Sequence, residues 1–151
     1  MIQRLQSIYL ALGVLALAGW LFWNADLMHG PVAEQMAWFG PGLVITGGLA
    51  GLTGLVAIFL YKDAHHPKNL LPGLRRQRKI VITAQFITLL LACILYFGLF
   101  LARALPVAKD IGGMISLAGP PFGYLLFYMA RRGIDRDITE LKKSNEFRLR
   151  D

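Results

Sequence analysis

Four stretches of this 151-residue chain contain no Asp, Glu, Lys or Arg. They lie between Arg4 and Asp26, Glu34 and Lys62, Lys79 and Arg103, and Asp110 and Arg131, and each is 20 residues or longer. About 20 apolar residues, rising about 1.5 Å each along a helix, cross a hydrocarbon core of about 30 Å. Inside hydrocarbon a segment must pair its own backbone N–H and C=O groups, which a single helix does and an isolated strand does not. The pattern therefore predicts an all-α membrane protein: a single integral domain over 1–151, with four transmembrane helices in an antiparallel bundle. The expected spans are about 6–24, 41–61, 80–102 and 111–130. Composition agrees, since charged residues are 17% of the chain against about 25% in a soluble domain.

The charges that remain set the direction of the spans. The connection 62–79 carries Lys62, Lys68, Arg75, Arg76, Arg78 and Lys79. With Arg4 and the seven Lys and Arg from Arg131 onward, fourteen cations fall on one side, and only Arg103 and Lys109 on the other. Lys and Arg beside a span resist translocation. The reading places both termini, the loop 62–79 and the tail 131–151 in the cytoplasm. Arg75, Arg76, Arg78, Lys79, Arg131 and Arg132 then lie at headgroup level, as topology determinants and contacts for anionic lipid headgroups. The net charge of +7 has its explanation there, so no nucleic-acid partner is expected.

The first run ends in Trp20-Leu-Phe-Trp23. A signal peptidase site needs small residues, so the run reads as an uncleaved anchor. Trp20, Trp23 and Trp38 flank the first external loop, 24–38, and indoles favour the headgroup region. Tyr9 and Tyr61 fall near the opposite interface.

The second span is rich in glycine. Gly47 and Gly51 form a GxxxG pair, and Thr46, Ala50 and Gly54 form a second row of small residues. Such rows let two backbones approach and gain dispersion contacts. The partner is an internal helix or a second copy of the chain, the former being simpler because four helices already need tight contacts. In the third span, Thr83, Gln85 and Thr88 are expected to bond between helices or to headgroups. In the fourth, Gly119, Pro120 and Pro121 are expected to kink or break the helix, because proline lacks an N–H and clashes with the carbonyl four residues back. In the tail, Ile134, Ile138 and Leu141 recur at helical spacing. That amphipathic helix could lie on the leaflet, extend the fourth helix, or dock on the middle loop.

The opening Met1-Ile-Gln-Arg-Leu-Gln-Ser-Ile-Tyr-Leu10 resembles the start of a family of small bacterial four-span membrane proteins of unknown function, of the Bacteroidota type. The likeness returns at Ile58-Phe-Leu-Tyr-Lys62, at Arg132-Gly-Ile134, at Asp137 and at Arg148-Leu-Arg150. It runs the length of the chain on short motifs. It implies a four-helix fold in the bacterial inner membrane, and no catalytic residues.

Other chemistry is set aside. His65, His66 and Asp63 lack further ligands, so no metal is expected. Cys93 is a lone thiol, nucleotide-binding glycine motifs are missing, and no cofactor is implied. None of the four spans holds Asp, Glu, Lys, Arg or His, which argues against a proton-coupled pump. The expected function is a non-catalytic structural or accessory component of a larger membrane assembly, with a membrane-protein partner or a homo-oligomer. The alternative is a small-molecule or lipid binder or transporter that uses the proline-broken fourth span. An enzyme is the least supported reading.

Overall fold

The computed structural model describes residues 2–63, 70–102 and 111–148. The centre of the basic connection (64–69, with His65 and His66), the second external loop (103–110) and the last three residues lie outside the described residues. Six helices are present among the described residues, and no strand: α1 (Ile2–Trp23), α2 (Ala25–His29), α3 (Pro31–Gln35), α4 (Phe39–Asp63), α5 (Leu70–Leu101) and α6 (Ile111–Arg148). Among the described residues, three segments are long and apolar enough to cross a membrane: Leu5–Trp23, Phe39–Leu60 and Leu71–Leu101. The fourth charge-free run, at the start of α6, is less apolar, because glycines, two prolines and two tyrosines dilute its aliphatic residues.

The four long helices meet in a closed ring, α1 against α4 and α6, and α5 against α4 and α6. Every neighbouring pair is antiparallel. Gly13 and Leu17 of α1 meet Phe127 and Gly123 of α6, while Val14 and Leu21 meet Gly54 and Gly47 of α4. Gly42 of α4 meets Ile94 of α5, and Gln77 of α5 reaches back to Ala57. Tyr96 and Gln85 of α5 meet Leu117 and Arg131 of α6.

Buried positions alternate three and four apart. On α1 they are Gln6, Leu10, Gly13, Leu17 and Trp20; on α5, Leu74, Gln77, Val81, Ala84, Thr88, Leu91 and Leu95. A 3.5-residue repeat is the spacing of left-handed helix packing, with side chains of one helix set into gaps of the next. Where a small residue occupies such a position, a large side chain of a neighbouring helix fills the gap, as Phe127 does over Gly13. Phe39 lies so close over Gly98 that no side chain fits there.

Three segments differ from the sequence reading. Residues 70–79 are helical, so α5 begins at Leu70 and not at Ile80. In sequence the stretch 62–79, which contains Pro72 and Gly73, reads as a loop. In a helix's first turn, however, proline's missing N–H would have no acceptor anyway, and Leu74, Gln77 and Val81 carry the buried face straight through. The external segment 24–38 is not plain loop. It folds as α2 and α3, which place Met28 and Val32 in the core. Gly40 passes the Met28 carbonyl too closely for any side chain. The tail takes the second of its three options and extends α6 to 38 residues, about 57 Å of helix. Ile134 is buried, with Ile138 and Leu141 packed against the core.

Candidate functional site

Two places combine polar groups with contacts between helices. The first is the proline segment of α6. In a helix each N–H bonds the carbonyl four residues back, so Pro120 orphans the Ser116 carbonyl and Pro121 that of Leu117. Both find donors on other helices. Trp20 Nε1 of α1 donates to Ser116 O at 2.7 Å, and Tyr96 Oη of α5 donates to Leu117 O at 2.8 Å. Gly119 leaves room for the indole, since a Cβ there would collide with the Trp20 ring. The helix expected to kink or break at Gly119, Pro120 and Pro121 is not broken there: it is helical from Ile111 to Arg148. The two carbonyls that the prolines free are satisfied by donors from α1 and α5. Trp20 therefore packs between helices and does not face outward. It is 4% exposed and wedged between helices, whereas Trp23 and Trp38 are exposed.

The second place is the helix ends that carry the basic residues. Gln6 of α1 is buried and donates through Nε2 to Asp137 Oδ2 of α6 at 2.6 Å. Gln77 of α5, also buried, donates to the Ala57 carbonyl of α4 at 3.1 Å. Asp135 bridges α5 to α6, lying 2.5 Å from Arg78 Nε and 3.7 Å from Arg131 Nε. Arg131 also approaches Gln85 Oε1 at 3.5 Å. These ion pairs are about two-fifths exposed, so each contributes only about 0–1 kcal/mol. Burial pushes the Asp137 carboxyl above its ordinary range. The Gln6 hydrogen bond pulls it back in part, and Glu140 nearby adds to the rise.

The positions singled out from sequence are distributed as follows. Gly47 faces Leu21, and Gly54 faces Val14 and Phe127, whereas Gly51 has nothing within 4 Å. The glycines that meet α1 are thus Gly47 and Gly54, with buried Ala50 between them, and not the GxxxG pair Gly47 and Gly51. Arg75, Arg76 and Lys79 are exposed on α5, and Arg132 on α6. Arg78 and Arg131 converge on Asp135. The sequence assigned no interhelical contact to Gln6, Gln77, Asp135, Asp137 or Tyr96. The signal for three of them was present: Gln6, Gln77 and Asp137 occupy the same three-four repeat as the apolar core.

This layer joins helix ends. Asp135 is engaged by two guanidiniums and Asp137 by an amide, contacts that tie α6 to α5 and to α1. The chain matches no family model, no curated protein and no solved structure.

Proposed function

We propose that the chain is a non-catalytic, multi-pass protein of the bacterial inner membrane. Its four long helices form an antiparallel four-span bundle, with both termini cytoplasmic, and it serves as a structural or accessory component of a larger assembly. The observation that carries this reading is the distribution of exposed side chains. Leu15, Phe22, Ile45, Leu52, Phe59, Phe86, Phe97, Phe100, Ile111 and Phe122 all point outward, while the buried face holds hydrogen-bonded Thr, Gln and Trp. A water-soluble chain would bury such residues, and an apolar exterior this extensive needs an apolar medium. The apolar faces stop where charge begins, at Phe86 on α5 and Met129 on α6. Beyond that level Arg75, Arg76, Lys79, Arg132 and Arg136 are exposed, which supports the cytoplasmic orientation.

The fourth span is the less apolar start of α6. It enters hydrocarbon as part of the ring, with its freed carbonyls already paired to Trp20 and Tyr96. That pairing removes the motive for a transport site at the prolines. The likeness of Met1–Leu10 to the bacterial four-span family supports the same compartment. An accessory role is supported by α5 and α6, which run about 15 Å and 27 Å past the expected membrane boundary and present a charged surface to cytoplasmic partners.

Two experiments test the proposal. A reporter fused after Asp151 is expected to be active only in its cytoplasmic form; activity of a periplasm-dependent reporter would overturn the topology. Cross-linking in cells, followed by gentle solubilisation, is expected to recover the chain with a partner. Recovery as a lone monomer under both conditions would overturn the accessory role.

A further inference from the structure

A groove of about 290 Å³ opens between the start of α1 and the stretch 128–136 of α6. Its depth comes from Gly133, where a Cβ would lie 2.7 Å from Gln6 Cγ. Arg132 and Arg136, one turn apart on α6, line it. Neither has a carboxylate within 4 Å among the described residues, because Asp135 is taken by Arg78 and Arg131. Leu5 and Met129, both exposed, line the same groove, as do Tyr9 and Tyr128. Tyrosines at this depth mark the boundary of hydrocarbon and headgroups.

A second feature points to a ligand. Gln6 is 1% exposed and also lines the groove. Its Nε2 is bonded to Asp137, but its Oε1 has no donor among the described residues. A buried acceptor without a donor is destabilising, and Gln6 shares this groove with Arg132 and Arg136, for which no ion pair is found among the described residues. An occupant that satisfies everything carries an anionic phosphate for the arginines, a hydroxyl to donate to Gln6, and an apolar tail for Leu5 and Met129.

We propose that this groove is a binding site for an anionic phospholipid with a glycerol headgroup. The proposal rests on the membrane reading and adds to it a place and a headgroup chemistry. Planar guanidiniums bind phosphate oxygens in pairs, and the bilayer delivers the lipid at this height. A zwitterionic choline lipid carries no net charge and has no hydroxyl to offer.

The test uses the full chain purified in mild detergent and titrated with phosphatidylglycerol, phosphatidylmethanol, phosphatidylethanolamine and phosphatidylcholine of one acyl composition. Bound lipid is read by native mass spectrometry. Phosphatidylglycerol is expected to bind best, ahead of phosphatidylmethanol, which keeps the charge but lacks the hydroxyls. The double variant R132Q/R136Q is expected to weaken phosphatidylglycerol binding roughly twentyfold. K142Q/K143Q, which removes the same charge from exposed positions of α6 outside the groove lining, is expected to leave it within about twofold. M129W, placing a large ring at the groove's apolar wall, is expected to weaken binding without altering folding. Equal loss in the arginine pair and the lysine pair would mean diffuse surface attraction and would overturn the proposal. So would equal retention of the choline lipid, or a preference for phosphatidylethanolamine or phosphatidylmethanol. The membrane reading fails separately, by recovery of the wild-type chain in the soluble fraction of cells.

Discussion

At the scale of single residues, the chain repairs what proline removes. Trp20 and Tyr96 act as backbone partners supplied from outside α6. W20F keeps most of the ring but leaves the Ser116 carbonyl without a donor, at a cost of about 1–3 kcal/mol. P120A returns an N–H to that carbonyl, so W20F is expected to cost about 1 kcal/mol less in the P120A background. Thermal unfolding in mild detergent measures both; equal costs in the two backgrounds would remove the assigned role. Asp137 gives a pH-dependent counterpart. Its carboxyl titrates higher folded than unfolded because burial disfavours the charge. Its contribution to stability is therefore full below the ordinary carboxylate range. It declines as pH rises through the window up to the folded value, and it stays lost above. D137N can still accept from Gln6 and has no charge to bury. It is expected to be more stable than wild type at neutral pH, with the difference vanishing in acid; a constant difference across pH would refute the linkage.

At the scale of elements, glycine acts by position and not by motif. Gly54 and Gly51 lie one turn apart on α4, yet only the first is enclosed. A Cβ at Gly54 would lie 2.6 Å from Val14 Cγ2, and G54A is expected to destabilise by about 1–3 kcal/mol through overpacking. G51A meets open space and is expected to be neutral or to stabilise by up to about 1 kcal/mol, as alanine does over glycine in a helix. If G51A lowers stability as much as G54A, a second copy of the chain packs on that face, and the small-residue row has an external partner after all. The long helices follow the same logic. α5 extends to Leu70 because Leu74, Gln77 and Val81 have a surface to bury against. α6 extends past Arg131 because Ile134 and Asp137 do. Helix length here follows the reach of the neighbouring helix, beyond the thickness of any hydrocarbon layer.

At the scale of the whole molecule, the interior is small and hydrogen-bonded while the exterior is large and apolar. Cys93 belongs to that exterior, on α5 among Phe86, Leu89, Leu90 and Phe97. In native membranes it is expected to resist a charged thiol reagent and to react once detergent denaturation exposes it. Rapid labelling in intact membranes would place this face of α5 in water.

Much of this architecture can be read from charge alone. Hydropathy and cation count belong to segments, so long uncharged runs and a basic side are visible without knowing any contact. From them come the all-helical class, three of the membrane-length helices and the expected sidedness. The tertiary structure decided the rest: that α6 passes through two prolines unbroken, that Gly54 packs while Gly51 does not, and that Gln6 meets Asp137. Each of these depends on pairs far apart in the chain, 96 residues for Trp20 and Ser116 and 131 for Gln6 and Asp137. An orphaned carbonyl signals that it needs a donor, but only packing determines which helix brings one.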